Sequence, residues 1–155
     1  MRFLFLTLIC LITNGCVVES KMFERSFIIE NSYENQINLI LFDLNSGVES
    51  NLILNAGEQY RGSTFETSVR VDDIPNESGA SISLNAGKII IIFDNDRILV
   101  SELADIDNGQ GFFSEPIQFN LLRNGNYQNI GNDQYLYKIS QADYNAATPC
   151  DGPCE

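Results

Sequence analysis

The chain has no histidine and no tryptophan. The first absence removes the Ser-His and Cys-His nucleophile pairs and every histidine-based metal centre. The second removes the broadest platform for stacking a sugar ring. Six tyrosines remain, Tyr33, Tyr60, Tyr127, Tyr135, Tyr137 and Tyr144, and core packing and strand propensity account for most of them. Positive charge is also scarce: 9 Lys and Arg stand against 21 Asp and Glu, a formal net charge of −12. Nucleic acid and anionic lipid surfaces both need clustered Lys and Arg, so neither is expected as an electrostatic partner. A partner drawn to this chain by charge is cationic, and otherwise the acidic surface serves solubility. At 155 residues the chain is long enough for one domain with a real core and too short for two comfortable ones.

No apolar run is long enough to span a bilayer. Arg2 is followed by an almost wholly apolar stretch, Phe3 to Ile12, and then by Thr13, Asn14 and Gly15. About 10 apolar residues is half of the roughly 20 that a spanning helix needs, whereas a short charged start, an apolar middle and a small-residue end form a secretory signal. The segment ends on Gly15-Cys16.

Gly15-Cys16 at this place resembles the lipobox of bacterial lipoproteins. In that family the Cys thiol receives a diacylglyceryl group, cleavage occurs before the Cys, and the new amine is often acylated. Thr13 and Asn14 depart from the usual aliphatic and small residues of the box, and relaxed boxes of this kind occur among lipoproteins of the Bacteroidota. The alternative is ordinary signal cleavage, with Cys16 a buried thiol or a disulfide partner. Of the four cysteines, Cys10 leaves with the signal and Cys150 and Cys154 can pair, so Cys16 is the odd one out in an oxidising compartment. Two or three acyl chains, each methylene worth about 0.8 kcal/mol when buried, would anchor the chain firmly to a membrane. Val17 stands where many inner-membrane lipoproteins carry Asp, so the resemblance implies the bacterial outer membrane.

The expected organisation is a signal at residues 1–15, a tether at 16–24, a β-domain at 25–147 and a Cys-containing tail at 148–155. Strand signals recur every 10 to 15 residues or so from Arg25, the spacing of a sandwich or barrel. Ser26 to Asn31 and Gln36 to Asp43 read as a first hairpin. Asn51 to Leu54 follows, and Thr64 to Val71 alternates with Phe65, Thr67, Val69 and Val71 on a buried face. Ala80 to Leu84 alternates as a further strand, Lys88 to Phe93 is the most apolar strand, and Asp94-Asn95-Asp96 turns it tightly into Arg97 to Ser101. Pro116 to Leu122 and Gln134 to Ser140 complete the set, the last with Tyr135, Tyr137 and Ile139 on one face. Ser140-Gln-Ala-Asp143 is a capping-box start to one helical turn, stopped by Pro149. The fold class is therefore all-β: a single antiparallel sandwich, immunoglobulin-like or related, of eight or nine strands. Leu54-Asn-Ala-Gly57 recurs as Leu84-Asn-Ala-Gly87, which reads as reuse of a good turn sequence or as a duplicated unit.

The order of a Phe-Ile-Ile-Glu-Asn strand, an Ile-Ile-Phe-Asp-Asn strand with its turn, and a closing Tyr-Leu-Tyr-Lys-Ile-Ser-Gln-Ala-Asp-Tyr motif resembles small lipoproteins of the Bacteroidota. Those motifs are structural and imply no activity.

Candidate chemistry is thin. Two carboxylates can in principle cleave a glycosidic bond, but no particular pair stands out, and no catalytic residue is assigned. Asp94-x-Asp96 and Asp105-x-Asp107-x-Gly109 suggest calcium loops. The second has Gln110 and Pro116 where an EF-hand needs Gly and an acid, and turn chemistry explains both, so no metal or cofactor is expected. Cys150 and Cys154 are expected to form a disulfide across Asp151-Gly152-Pro153. The reading is a non-catalytic, lipid-anchored envelope protein with a binding or structural role, its partners a membrane through the anchor and a cationic protein or envelope glycan. The alternative is an acidic inhibitor of a basic enzyme such as lysozyme, and a glycosidase is a distant third.

Overall fold

The computed structural model describes residues 21–68, 79–103 and 119–154. The signal, Cys16, and the Asp105 to Gly109 loop lie outside the described residues, as do residues 69–71 and 116–118 of two expected strands.

The protein is an all-β sandwich, with nine strands in two sheets among the described residues. The strands are β1 (Lys21–Asn31), β2 (Ile37–Asp43), β3 (Glu49–Leu54), β4 (Gln59–Ser68), β5 (Ala86–Phe93), β6 (Arg97–Glu102), β7 (Gln128–Gly131), β8 (Gln134–Ile139) and β9 (Thr148–Pro149). The described residues also form two short helices, α1 (Gly79–Leu84) and α2 (Gln141–Ala146), and a 3-10 turn at Asn124–Asn126. One sheet has the order β4-β1-β8-β7 and the other β3-β2-β5-β6-β9. Every pairing is antiparallel except β1 with β8, which run parallel from Ser26 opposite Gln134 to Asn31 opposite Ile139.

The core lies between the sheets because alternate residues of each strand point inward. Phe27 and Ile29 of β1 and Tyr137 and Ile139 of β8 form one buried cluster with Leu39 and Leu41 of β2 and Ile89, Ile91 and Phe93 of β5. Tyr127 closes on Phe27 edge-on at 5.0 Å and donates its hydroxyl to the Leu121 carbonyl at 2.7 Å.

Several elements differ from the sequence expectation, each for a local reason. β1 begins at Lys21, four residues inside the segment read as a tether. β1 and β2 are not a hairpin, since they belong to different sheets; the polar turn between them carries the chain across the sandwich, with Tyr33 buried as the pivot. Phe65, expected on a buried face, is 70% exposed on β4. Ala80 to Leu84 is helical, not extended. Gly79, Ala80, Ser81, Ser83 and Leu84 are buried and Ile82 is exposed, so Ile82 does not share a buried face with Ala80 and Leu84, and the alternation that suggested a strand is a coincidence of five residues. Leu121 and Leu122, expected at a strand end, lie in a turn and are both fully buried. The repeated Leu-Asn-Ala-Gly sequence has two different uses: the first copy is the turn between β3 and β4, the second joins α1 to β5.

The capping box is present. Ser140 Oγ accepts from the Ala142 amide at 3.2 Å, and the Asp143 carboxylate accepts from the Ser140 amide at 2.7 Å.

Candidate functional site

Three stretches far apart in sequence meet at one end of the five-stranded sheet. The first is the turn after β1. Asn31 shapes it from within, donating its side-chain amide to the carbonyls of Asn35 and Leu54, both at 2.9 Å, and accepting from the Tyr33 amide at 3.0 Å. Held this way, the Tyr33 ring stacks on Tyr144 of α2 at 5.2 Å and meets Phe93 edge-on at 5.5 Å.

The second stretch is the turn from β5 to β6. Asp94 and Asn95 both have left-handed backbone angles, φ 49° and 59°, the conformation a tight hairpin demands and one that Asp and Asn tolerate better than most residues. The Asp94 carboxylate accepts at Oδ2 from the Tyr33 hydroxyl at 2.5 Å and from the Asn35 side chain at 3.2 Å. Burial, and then the neighbouring Asp94 carboxylate, push the Tyr33 phenol up to about 12. Asp96 accepts from the Tyr144 hydroxyl at 3.2 Å, and Arg97 lies over the Tyr144 ring at 4.9 Å.

The third stretch is the C-terminal tail. Cys150 and Cys154 are joined with their Cα atoms 5.6 Å apart, inside the range that a disulfide spans. The tail docks on the sandwich: the Cys150 amide donates to the Asp96 carbonyl at 2.8 Å and the Cys154 amide to the Asn95 carbonyl at 3.3 Å.

Between them these stretches frame an open groove of about 650 Å³. Its polar lining is Asn35, Gln36, Asn38, Asp94 and Asn95; Ile37, Ile92 and Cys154 supply the apolar part. Asn38 lies in register between Ile53 of β3 and Ile92 of β5, and its side-chain oxygen is buried with no hydrogen-bond partner among the described residues.

Of the residues singled out from sequence, Cys150 and Cys154 come together, and Asp94 and Asp96 stand at the groove end with a tyrosine hydroxyl bonded to each. Turn geometry and these tyrosines account for both acids, and among the described residues no three His, Cys, Asp or Glu side chains gather where they could hold a metal ion. The four groove amides were not legible as a set. Each reads singly as a turn or strand residue, and only the crossing of β1 to β2 brings Asn35 against Asp94.

Comparison with family models, with curated proteins and with solved structures finds no match to this chain.

Proposed function

We propose that this chain is a lipid-anchored binding protein of the bacterial cell envelope, held at the outer membrane through Cys16 and without catalytic activity. The observation that carries the reading is Gly15-Cys16 at the end of a short apolar run, followed within a few residues by the first strand of a β-sandwich. A thiol there is placed to tether a folded body close to the membrane surface. The groove supports a binding role: most of its lining is polar, and its Asp94 carboxylate is held by hydrogen bonds from Tyr33 and Asn35.

The test is fractionation of native cells. Wild-type protein is expected in the membrane fraction with an intact mass raised by the acyl groups on Cys16. Cys16→Ser is expected in the soluble fraction with its unfolding transition unchanged. An unmodified thiol at residue 16 of native protein would sink the anchor.

A second reading has its own observation. The net charge of −12 suits capture of a basic enzyme at the cell surface, and its signature is salt-sensitive inhibition of a cationic lysozyme.

A further inference from the structure

The groove at the end of the five-stranded sheet has a lining that selects among ligands. Most small-molecule pockets are mainly apolar with a few polar groups; this one reverses the proportion, with amides at Asn35, Gln36, Asn38 and Asn95 beside the Asp94 carboxylate. Each amide presents a donor and an acceptor in one plane, which is what a pair of neighbouring hydroxyls requires, since each hydroxyl both donates and accepts. No Lys or Arg among the described residues lines the groove, so an anion finds no cationic partner in that lining. A cation would meet a single carboxylate among the described lining residues, whose Oδ2 already accepts from Tyr33 and Asn35. A peptide adding as an extra strand has no edge to use at this place: β2 and β5, which carry Asn38 and Ile92, are both interior strands with partners on each side.

One further feature favours a ligand at this groove. Part of its frame is fixed in advance, by the Tyr33 and Asn35 bonds to Asp94 and by the Cys154 amide on the Asn95 carbonyl, so less ordering is lost there when a ligand enters.

We propose that this groove is a saccharide site, taking a neutral sugar whose hydroxyls bond the amides of Asn35, Asn38 and Asn95 while its C–H face rests on Ile92. The proposal deepens the reading of the chain as an envelope-binding protein and is independent of the lipid anchor.

Titration of the isotope-labelled full chain with N,N′-diacetylchitobiose, cellobiose and maltose, followed by NMR of the side-chain amides, tests it. At least one disaccharide is expected to give saturable shifts at the groove amides. Asn38→Leu is expected to weaken that binding about tenfold, the worth of one lost hydrogen-bonding partner. Asn95→Gly provides a second variant, because glycine accepts the left-handed backbone at no cost, and it too is expected to weaken binding with the unfolding midpoint unchanged. Silence from all three sugars, or shifts that survive both substitutions, overturns the proposal. So does saturation by N-acetyl-argininamide alone, which would make the groove a cation site. Membrane fractionation of cells producing the same variants reports on Cys16 separately, so loss of the anchor and loss of the sugar site give different results.

Discussion

Gly62 on β4 and Ser83 on α1 are in backbone contact: a Cβ placed on Gly62 would stand 2.2 Å from the Ser83 carbonyl oxygen and 2.8 Å from the Leu84 Cα. No side chain fits there, and neither neighbouring atom can swing aside as a long side chain could. The short helix therefore lies on β4 at a glycine, where the strand offers no Cβ. Gly62→Ala is expected to lower stability by about 1–3 kcal/mol, the usual cost of forcing volume into a packed site, with a fall in the thermal midpoint. A midpoint equal to wild type would mean that α1 does not pack on β4.

Tyr137 donates its hydroxyl to Asp143 Oδ1, and Asp143, 2% exposed, uses its other oxygen for the backbone and hydroxyl of Ser140. One carboxylate thus caps α2 and satisfies a buried phenol of β8. Asp143→Ala is expected to cost about 1–3 kcal/mol for the stranded donors, and roughly 1 kcal/mol more for the lost cap. Tyr137→Phe removes one of those donors, so the double variant should be more stable than the two single losses added together. Strict additivity in denaturant unfolding would show that the pair is not coupled.

The groove frame predicts an alkaline response. Burial and Asp94 raise the Tyr33 phenol from an ordinary 10.0 to about 12. The folded state holds this proton more tightly than the unfolded state, so the stabilisation is complete below pH 10 and is lost as pH rises from 10 towards 12. Tyr33→Phe should make this part of the stability profile less steep, the raised phenols of Tyr60, Tyr127 and Tyr137 supplying the rest, and remove one late-titrating phenol from the absorbance curve. A full complement of late phenols in Tyr33→Phe would assign the shift elsewhere.

Reduction of the disulfide between Cys150 and Cys154 should act locally. A loop this short contributes only about 2 kcal/mol by chain entropy, but the Cys154 amide also holds the Asn95 carbonyl at the groove. The main unfolding transition is expected to move little, while residues 148–154 become sensitive to protease and the NMR signals of Asn95 shift. Quantitative alkylation of both thiols without reductant would remove the bridge altogether.

Strands with their own period were legible from the sequence. Lys88 to Phe93, the turn at Asp94 to Asp96 and the Ser140 capping box stand where their residues placed them, because each depends on contacts within a few residues. The sheet assignment of β1 and β2 was not legible, since a polar turn of a few residues serves a hairpin and a crossing between sheets equally well. What decides it is Tyr33, whose ring finds Phe93 and Tyr144 from elsewhere in the chain. The helix at Gly79–Leu84 was hidden for a related reason: five residues satisfy both periods, and the absence of a side chain at Gly62 settles which one packs. The groove follows from these two kinds of unpredictable contact. Its amides are assembled by a crossing, a turn and a docked tail, none of which leaves a shared pattern in the sequence.

The parallel pairing of β1 with β8 sets an order of events as the chain folds. β1 is the first strand to emerge, yet one of its two neighbours is close to the far end of the chain. Its other neighbour, β4, can pair earlier, but until β8 arrives one hydrogen-bonding edge of β1, with Phe27 and Ile29 beside it, has no native cover. Pairings so distant along the chain are slow to form, and an open apolar edge meanwhile invites wrong partners. Completion of the sandwich therefore waits for the last quarter of the polypeptide, and a chain interrupted before Gln134 would leave its own first strand as its stickiest surface.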